Sequence, residues 1–117
     1  MDEFTQYVMG QLYTQSSLIR PEEYQQKLIE SSVFIAGIGG NGCPVTEVLA
    51  RSGVGRLALA DIDGYDVTNL NRQLYATSST IGEHKAIAAF RRVLDINPHY
   101  GNRLELFTDG INSQRQK

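Results

Sequence analysis

Cysteine is almost absent from this chain: Cys43 is the single one, there is no tryptophan, and only three prolines occur in 117 residues. One thiol excludes an internal disulfide framework and a cysteine-rich zinc cluster. No apolar run approaches the about 20 residues that a helix needs to cross a bilayer. The opening Met1-Asp2-Glu3-Phe4 lacks the basic and apolar regions of a secretory signal, so the expected location is cytoplasmic. Charge of one sign is also lacking. Eleven Lys and Arg against 13 Asp and Glu leave a formal net charge of -2. No basic face argues for nucleic acid, and no run of like charges forms an interaction tail. There is no internal repeat and no low-complexity segment.

What is present is globular in texture, with 41% hydrophobic residues and 11 glycines. The length fits one domain or part of one. Phe4, Val8 and Leu12 recur every fourth residue and predict a helix over 2–13, with Thr14 to Ser17 as a break. Pro21 suits a first helical position, and Glu22 and Glu23 follow at the positive end of the dipole. A second helix is expected over 21–30, with Tyr24 and Leu28 on one face.

From residue 32 the pattern alternates between short apolar runs and helical periodicity. Val33-Phe34-Ile35-Ala36 reads as a strand buried on both faces. A helix is expected from about Cys43 to Ser52, with Val45, Val48 and Leu49 inward and Gly53 as its stop. Arg56 to Ala60 reads as a second strand, and 61–79 as a polar loop. A long helix is expected from Ile81 to Ile96, with Ile87, Phe90, Val93 and Leu94 as its stripe, ended by Asn97-Pro98. Arg103 to Phe107 alternates and reads as a third strand, followed by a loop and frayed tail. The order predicts an α/β, Rossmann-like three-layer fold with a parallel sheet of about three strands. Three strands are few for such a sheet.

Gly37-Ile38-Gly39-Gly40-Asn41-Gly42 lies between a predicted strand and a predicted helix. Gly37, Gly39 and Gly42 satisfy G-x-G-x-x-G: one glycine for the turn, one for close approach of phosphate, one for helix–strand packing. The helix N-terminus offers N–H groups to an anion. Asp61 ends the next strand at the spacing where an acid bonds ribose hydroxyls. Simple turn glycines are the competing reading, and the pattern alone does not separate NAD from ATP. Asn69-Leu70-Asn71-Arg72-Gln73 and Gly82-Glu83-His84-Lys85 follow. Arg72 and Lys85 supply the cations that a triphosphate needs more than a dinucleotide does. Read from chemistry alone, this stretch is equally a solvated loop with a surface lysine.

Taken in order, Gly37–Gly42, Ser52-Gly-Val-Gly55, Asp61-Ile-Asp63, Asn69–Gln73, Ile81-Gly82 with Lys85, and Ile96-Asn-Pro98 resemble the ThiF/MoeB/HesA family. That family includes the adenylating domain of ubiquitin-activating enzymes. The resemblance covers about residues 24 to 100. It implies ATP and magnesium as cofactors, and adenylation of a carboxylate: often the C-terminus of a ubiquitin-like or sulfur-carrier protein, in other members a carboxyl on a modified tRNA base. It implies that Gly37, Gly39, Gly40 and Gly42 line the ATP and that Asp61 holds the ribose, with Asp63 in the same signature. It implies that Asn69, Asn71, Arg72 and Gln73 lie along the phosphates. Arg72 and Lys85 are the implied catalytic cations. Homodimers are implied as well. An NAD-binding dehydrogenase domain and a non-catalytic binding module are the alternatives.

The resemblance also implies that the chain is the front part of a longer domain: 1–20 a helical extension, 21–117 the nucleotide-binding part. The family's magnesium-binding Asp follows a fourth strand, and Asp109 comes too early to be it, so no metal ligand is assigned. On this reading the 117 residues alone are expected to be inactive. Cys43 reads as packing. Arg20 is the nearest counterpart of an arginine that reaches into a partner's site. His84 and His99 read as exposed, and Tyr7 and Tyr13 as surface packing.

Overall fold

The computed structural model describes residues 2–10 and 21–109. The expected break at Thr14 to Ser17, together with Tyr13, Arg20 and the tail beyond residue 109, lies outside them. The sheet contains β1 (Ser32–Ala36), β2 (Arg56–Ala60) and β3 (Leu104–Phe107), parallel and in the order β1-β2-β3. Two helices make the crossovers: α3 (Gly42–Arg51) and α4 (Lys85–Ile96). Before them stand α1 (Glu3–Met9) and α2 (Pro21–Ile29). A 3-10 turn, Val67–Asn69, interrupts the polar loop, and a 3-10 helix, Pro98–Arg103, leads into β3. This is the parallel Rossmann-like arrangement expected from the sequence.

Because the strands follow one another across the sheet without reversal, right-handed crossovers put α3 and α4 on the same face. Val33, Ile35, Leu57, Leu59, Leu104 and Leu106 point toward them. Leu57, Leu59 and Leu104 are buried, and burying a leucine stabilises by about 2 kcal/mol. Among the described residues the opposite face is uncovered, so β1 is not buried on both sides as its composition suggested. Phe34 is 49% exposed there. Its ring lies 5.6 Å from that of Phe107, across the central strand. Ala58 and Ala60, the β2 residues in register with Phe34 and Phe107, leave room for that contact.

The buried sides of the helices differ from the expected ones. α3 buries Cys43, Thr46 and Ala50, with Leu49 partly buried, and exposes Val45 and Val48. α4 buries Ala86, Ala88, Ala89 and Val93 and exposes Ile87. Both helices lie so close to the sheet and to each other that small side chains take the contact and larger ones move to its margins. In α2, Gln25 and Ile29 are buried and Tyr24 and Leu28 exposed. Gln25 turns inward because its amide donates to the Ser52 carbonyl at the end of α3 (2.8 Å). α4 starts at Lys85 rather than Ile81, because His84 caps it: Nδ1 accepts from Ala86 N–H (3.1 Å), and Nε2 lies 2.8 Å from the Thr108 carbonyl. His84 and His99 are half-buried, not exposed.

At the lower end of the sheet, α1 docks on this chain's own 3-10 helix. Phe4 and Val8 are buried, Phe4 meets Tyr100 edge-on at 4.8 Å, and Arg103 lies 4.2 Å above the Phe4 ring. The Tyr7 hydroxyl donates to the Ile96 carbonyl (2.9 Å).

One carboxylate joins three elements. Glu47 of α3 accepts from Arg92 of α4 through Nε (3.0 Å) and Nη2 (2.8 Å), from the Tyr75 hydroxyl (2.9 Å) and from Arg51 (2.8 Å). The bond from Arg92, above all, holds its pKa at about 2 against an ordinary 4.5. A depressed carboxyl pKa contributes stability that is complete above the unfolded value and is lost as pH falls toward the folded one. The urea midpoint is therefore expected to decline between about pH 4.5 and 2 on account of this group. Glu47→Gln is expected to cost about 1–2 kcal/mol at neutral pH and to flatten that decline. Parallel acid profiles for the two proteins would exclude the assignment.

Candidate functional site

The site lies where the C-terminal ends of β1 and β2 meet the start of α3. Gly37 leaves β1 at φ 93° and donates its N–H to the Ala60 carbonyl (2.7 Å), so the loop stays tied to β2 as it turns. Gly42 brings α3 down onto that turn. A Cβ there would stand 1.8 Å from the Gly37 carbonyl oxygen, so the helix and the strand end meet backbone to backbone. Asn41 makes no side-chain cap; Cys43 N–H donates to the Gly39 carbonyl (3.1 Å), Val45 N–H to the Asn41 carbonyl (3.2 Å), and Pro44 has no N–H, so Gly42 N–H is what the start of α3 offers to a ligand. A helix N-terminus in that condition attracts an anion.

Asp61 is the second fixed point. Its carboxylate accepts from Ile38 N–H (2.7 Å) with one oxygen and from Asp63 N–H (2.9 Å) with the other. It thus braces the glycine loop, a task the sequence did not reveal. A carboxylate has further lone pairs for ribose hydroxyls.

A short ladder carries Lys85 to the same place. Tyr65 N–H donates to Glu83 O (2.9 Å), Gly82 N–H to Tyr65 O (2.8 Å), and Lys85 N–H to Asp63 O (2.9 Å). Gly82 turns at φ 85° to make this possible. Lys85 is 8% exposed, with Nζ 5.5 Å from the centroid of the Tyr65 ring. It is not a surface lysine.

The Asn69–Gln73 stretch closes the far side. Asn69 accepts from Asp66 N–H (2.8 Å) while the Asp66 carboxylate accepts from Thr68 N–H (3.2 Å), a reciprocal cap that shapes the loop. Arg72 is exposed and donates to Thr68 O (2.8 Å) and Asn71 Oδ1 (3.3 Å), while its own carbonyl lies against Gly40. Gln73 is 7% exposed, its amide stands in van der Waals contact with the Gly39 position, and its Oε1 is buried without a hydrogen-bond partner. A buried acceptor without a partner costs about 1–3 kcal/mol, which a ligand donor would restore. The structure thus places Asp61 and Gln73 against the loop that holds Gly37, Gly39, Gly40 and Gly42, and links Asp63 and Lys85 to it indirectly, through Asp61, the Lys85 N–H bond to Asp63 O and the Tyr65 ring. It sets Asn69, Asn71 and Arg72 beside it, the first committed to its own turn.

Sequence reading missed Tyr65 here, while Cys43, read as packing, is fully buried in the core. The Tyr65 hydroxyl donates to the Ile38 carbonyl (3.0 Å), and the Cys43 sulfur lies 3.2 Å from that hydroxyl. The signal was the alternation Asp61, Asp63, Tyr65, which marks an extended segment inside what reads as loop.

Residues 12–116 match the ThiF family. The chain belongs to that family. It is 44% identical over 86 residues to the tRNA threonylcarbamoyladenosine dehydratase of Bacillus subtilis, spanning 74% of this chain and 34% of that protein. It is 38% identical over 98 residues to a probable molybdopterin-synthase adenylyltransferase of Porphyra purpurea, spanning 84% and 25%. Among solved structures, the E. coli tRNA N6-threonylcarbamoyladenosine dehydratase in complex with ATP superimposes at a TM-score of 0.79. The identity is 32%, over 98% of this chain and 44% of that one. The ThiF chain described here therefore spans between a quarter and a third of the length of these curated relatives.

Two loop glycines separate fold from binding. Gly42→Ala forces a backbone clash and is expected to cost about 2–4 kcal/mol in urea unfolding. Gly39→Ala meets only ordinary contacts, at 3.6 Å and beyond, and is expected to cost under about 1 kcal/mol. Equal losses for the two would contradict the packing described.

Proposed function

We propose that this chain is the ATP-binding part of a ThiF-type adenylyltransferase that activates a carboxylate as its acyl-adenylate. What supports the reading is the tight Gly37–Gly42 turn at the start of α3, braced by Asp61, together with the buried Lys85, whose Nζ lies 5.5 Å from the ring of the tyrosine that bonds the same loop. Fixed donors and a fixed cation there would stabilise charge on phosphate oxygens as the carboxylate attacks the α-phosphate and pyrophosphate leaves. Lys85 supplies a point charge and Arg72, swung from its own loop, a planar fork. The orphaned Gln73 oxygen gives the bound nucleotide an acceptor.

The carboxylate is either the C-terminus of a ubiquitin-like or sulfur-carrier protein or a carboxyl on a modified tRNA base. The second is favoured by similarity. The E. coli tRNA dehydratase with ATP superimposes at a TM-score of 0.79 over 98% of this chain, against 0.73 over 81% for E. coli MccB with AMPCPP. Magnesium would accompany the ATP. Among the described residues no three acidic, imidazole or thiol side chains converge, so these residues do not by themselves build a metal cage. A homodimer is part of the proposal, since β1 and β3 both have an unpaired outer edge among the described residues. A cytoplasmic setting belongs to it as well, because the reaction consumes ATP.

Calorimetric titration tests the reading directly. Mg-ATP is expected to bind and NAD not to bind measurably. Arg72→Ala and Gly39→Ala should each weaken ATP by about tenfold or more while unfolding near the wild-type midpoint. Equal affinity for NAD, or ATP binding untouched in both variants, would sink the assignment.

A further inference from the structure

The glycine loop and Lys85 come from different crossover units, and one side chain touches both. Tyr65 is 2% exposed. Its hydroxyl donates to the Ile38 carbonyl (3.0 Å), on the residue whose N–H is held by Asp61 (2.7 Å). The middle of the loop is therefore gripped from both peptide sides. The Cys43 sulfur lies 3.2 Å from the same hydroxyl and 3.5 Å from the Ile38 carbonyl, so the three groups meet at one place. The ring of the same tyrosine lies 5.5 Å from Lys85 Nζ, within cation–π range.

We infer that Tyr65 is a positioning residue for the nucleotide site, its hydroxyl fixing the glycine loop and its ring fixing the Lys85 ammonium, so that one side chain sets the distance between them. The inference rests on the ATP reading above and assigns this chain a determinant of that site. Tyr100 shows what a purely structural tyrosine does here. It is fully buried and donates to the Val54 carbonyl at the opposite end of the sheet, away from any site residue. Tyr65 instead places its hydroxyl in the loop where an anion would bind. Burial pushes its pKa upward, so the hydroxyl stays protonated and keeps donating. A lysine stem has many rotamers; holding it before the ligand arrives lessens the ordering that binding must supply.

The test compares wild type, Tyr65→Phe, Tyr65→Leu and Tyr100→Phe. Tyr65→Phe keeps the ring and deletes the hydroxyl with its bonds to the Ile38 carbonyl and to Cys43. It is expected to weaken ATP about fivefold in calorimetry and to speed amide exchange at Gly39 and Gly40. Tyr65→Leu should weaken ATP further, and should abolish the upfield ring-current shift of the Lys85 ε-methylene protons that wild type and Tyr65→Phe both show. Tyr100→Phe should lose stability with unchanged affinity and unchanged loop exchange. If Tyr65→Phe matches Tyr100→Phe in every respect, Tyr65 is a core residue and the inference fails. If wild type gives no heat with ATP, the ATP reading fails, and the ligand-free signals decide the role of Tyr65. An unshifted Lys85 ε-methylene, or equal loop exchange in wild type and Tyr65→Phe, then overturns it; the expected shift and exchange support it.

Discussion

The tightest constraint in this fold is the meeting of Gly42 with the Gly37 carbonyl, where an added Cβ would overlap the oxygen. Helix α3 can leave the loop in that direction only without a side chain at its first residue. Once it is so close, the inward positions above it must be small, and Cys43, Thr46 and Ala50 occupy them. The approach also sets the start of α3 beside a strand end already tied to β2 through Gly37 and Asp61. Helix packing and the shape of the loop thus have a single cause at this point.

Much of this was legible because glycine, proline and acidic residues punctuate the chain sharply. β1, α3 and β2 appear within a residue or so of where the runs Val33–Ala36, Cys43–Ser52 and Arg56–Ala60 placed them. The faces were less legible. Hydrophobicity points Val45, Val48 and Ile87 inward, whereas close packing selects Cys43, Thr46, Ala86 and Ala89. Apolar character records the wish to leave water; it does not record how near the neighbour will come. The 61–79 stretch reads as loop and 81–85 as the start of the long helix, because their order comes from nonlocal ladder bonds between 63–65 and 82–85, which no local periodicity announces. That is why Lys85 had equal claims as a surface residue until its burial was seen.

Electrostatically the site is balanced rather than simply cationic. Asp61 is committed to two backbone N–H groups, which neutralises part of its field toward the loop. Lys85, under cover of Tyr65, meets little water that would screen it. Arg72 differs in kind, being exposed and resting on its own turn. One cation is therefore built into the scaffold and one is held on a movable arm. Only the first is in place before any ligand arrives.

The ladder that delivers Lys85 has a consequence for how the protein holds together. The glycine loop belongs to the first βα unit and the lysine to the second, joined near the site by a few backbone bonds and by Asp61. Neither unit alone holds both the glycine loop and the buried lysine. A nucleotide bound between them would act as a staple across a seam, and its binding free energy would add to the cooperativity of folding. Ligand occupancy and structural integrity would then rise and fall together, so that a locally opened second unit releases its nucleotide before the sheet itself is lost.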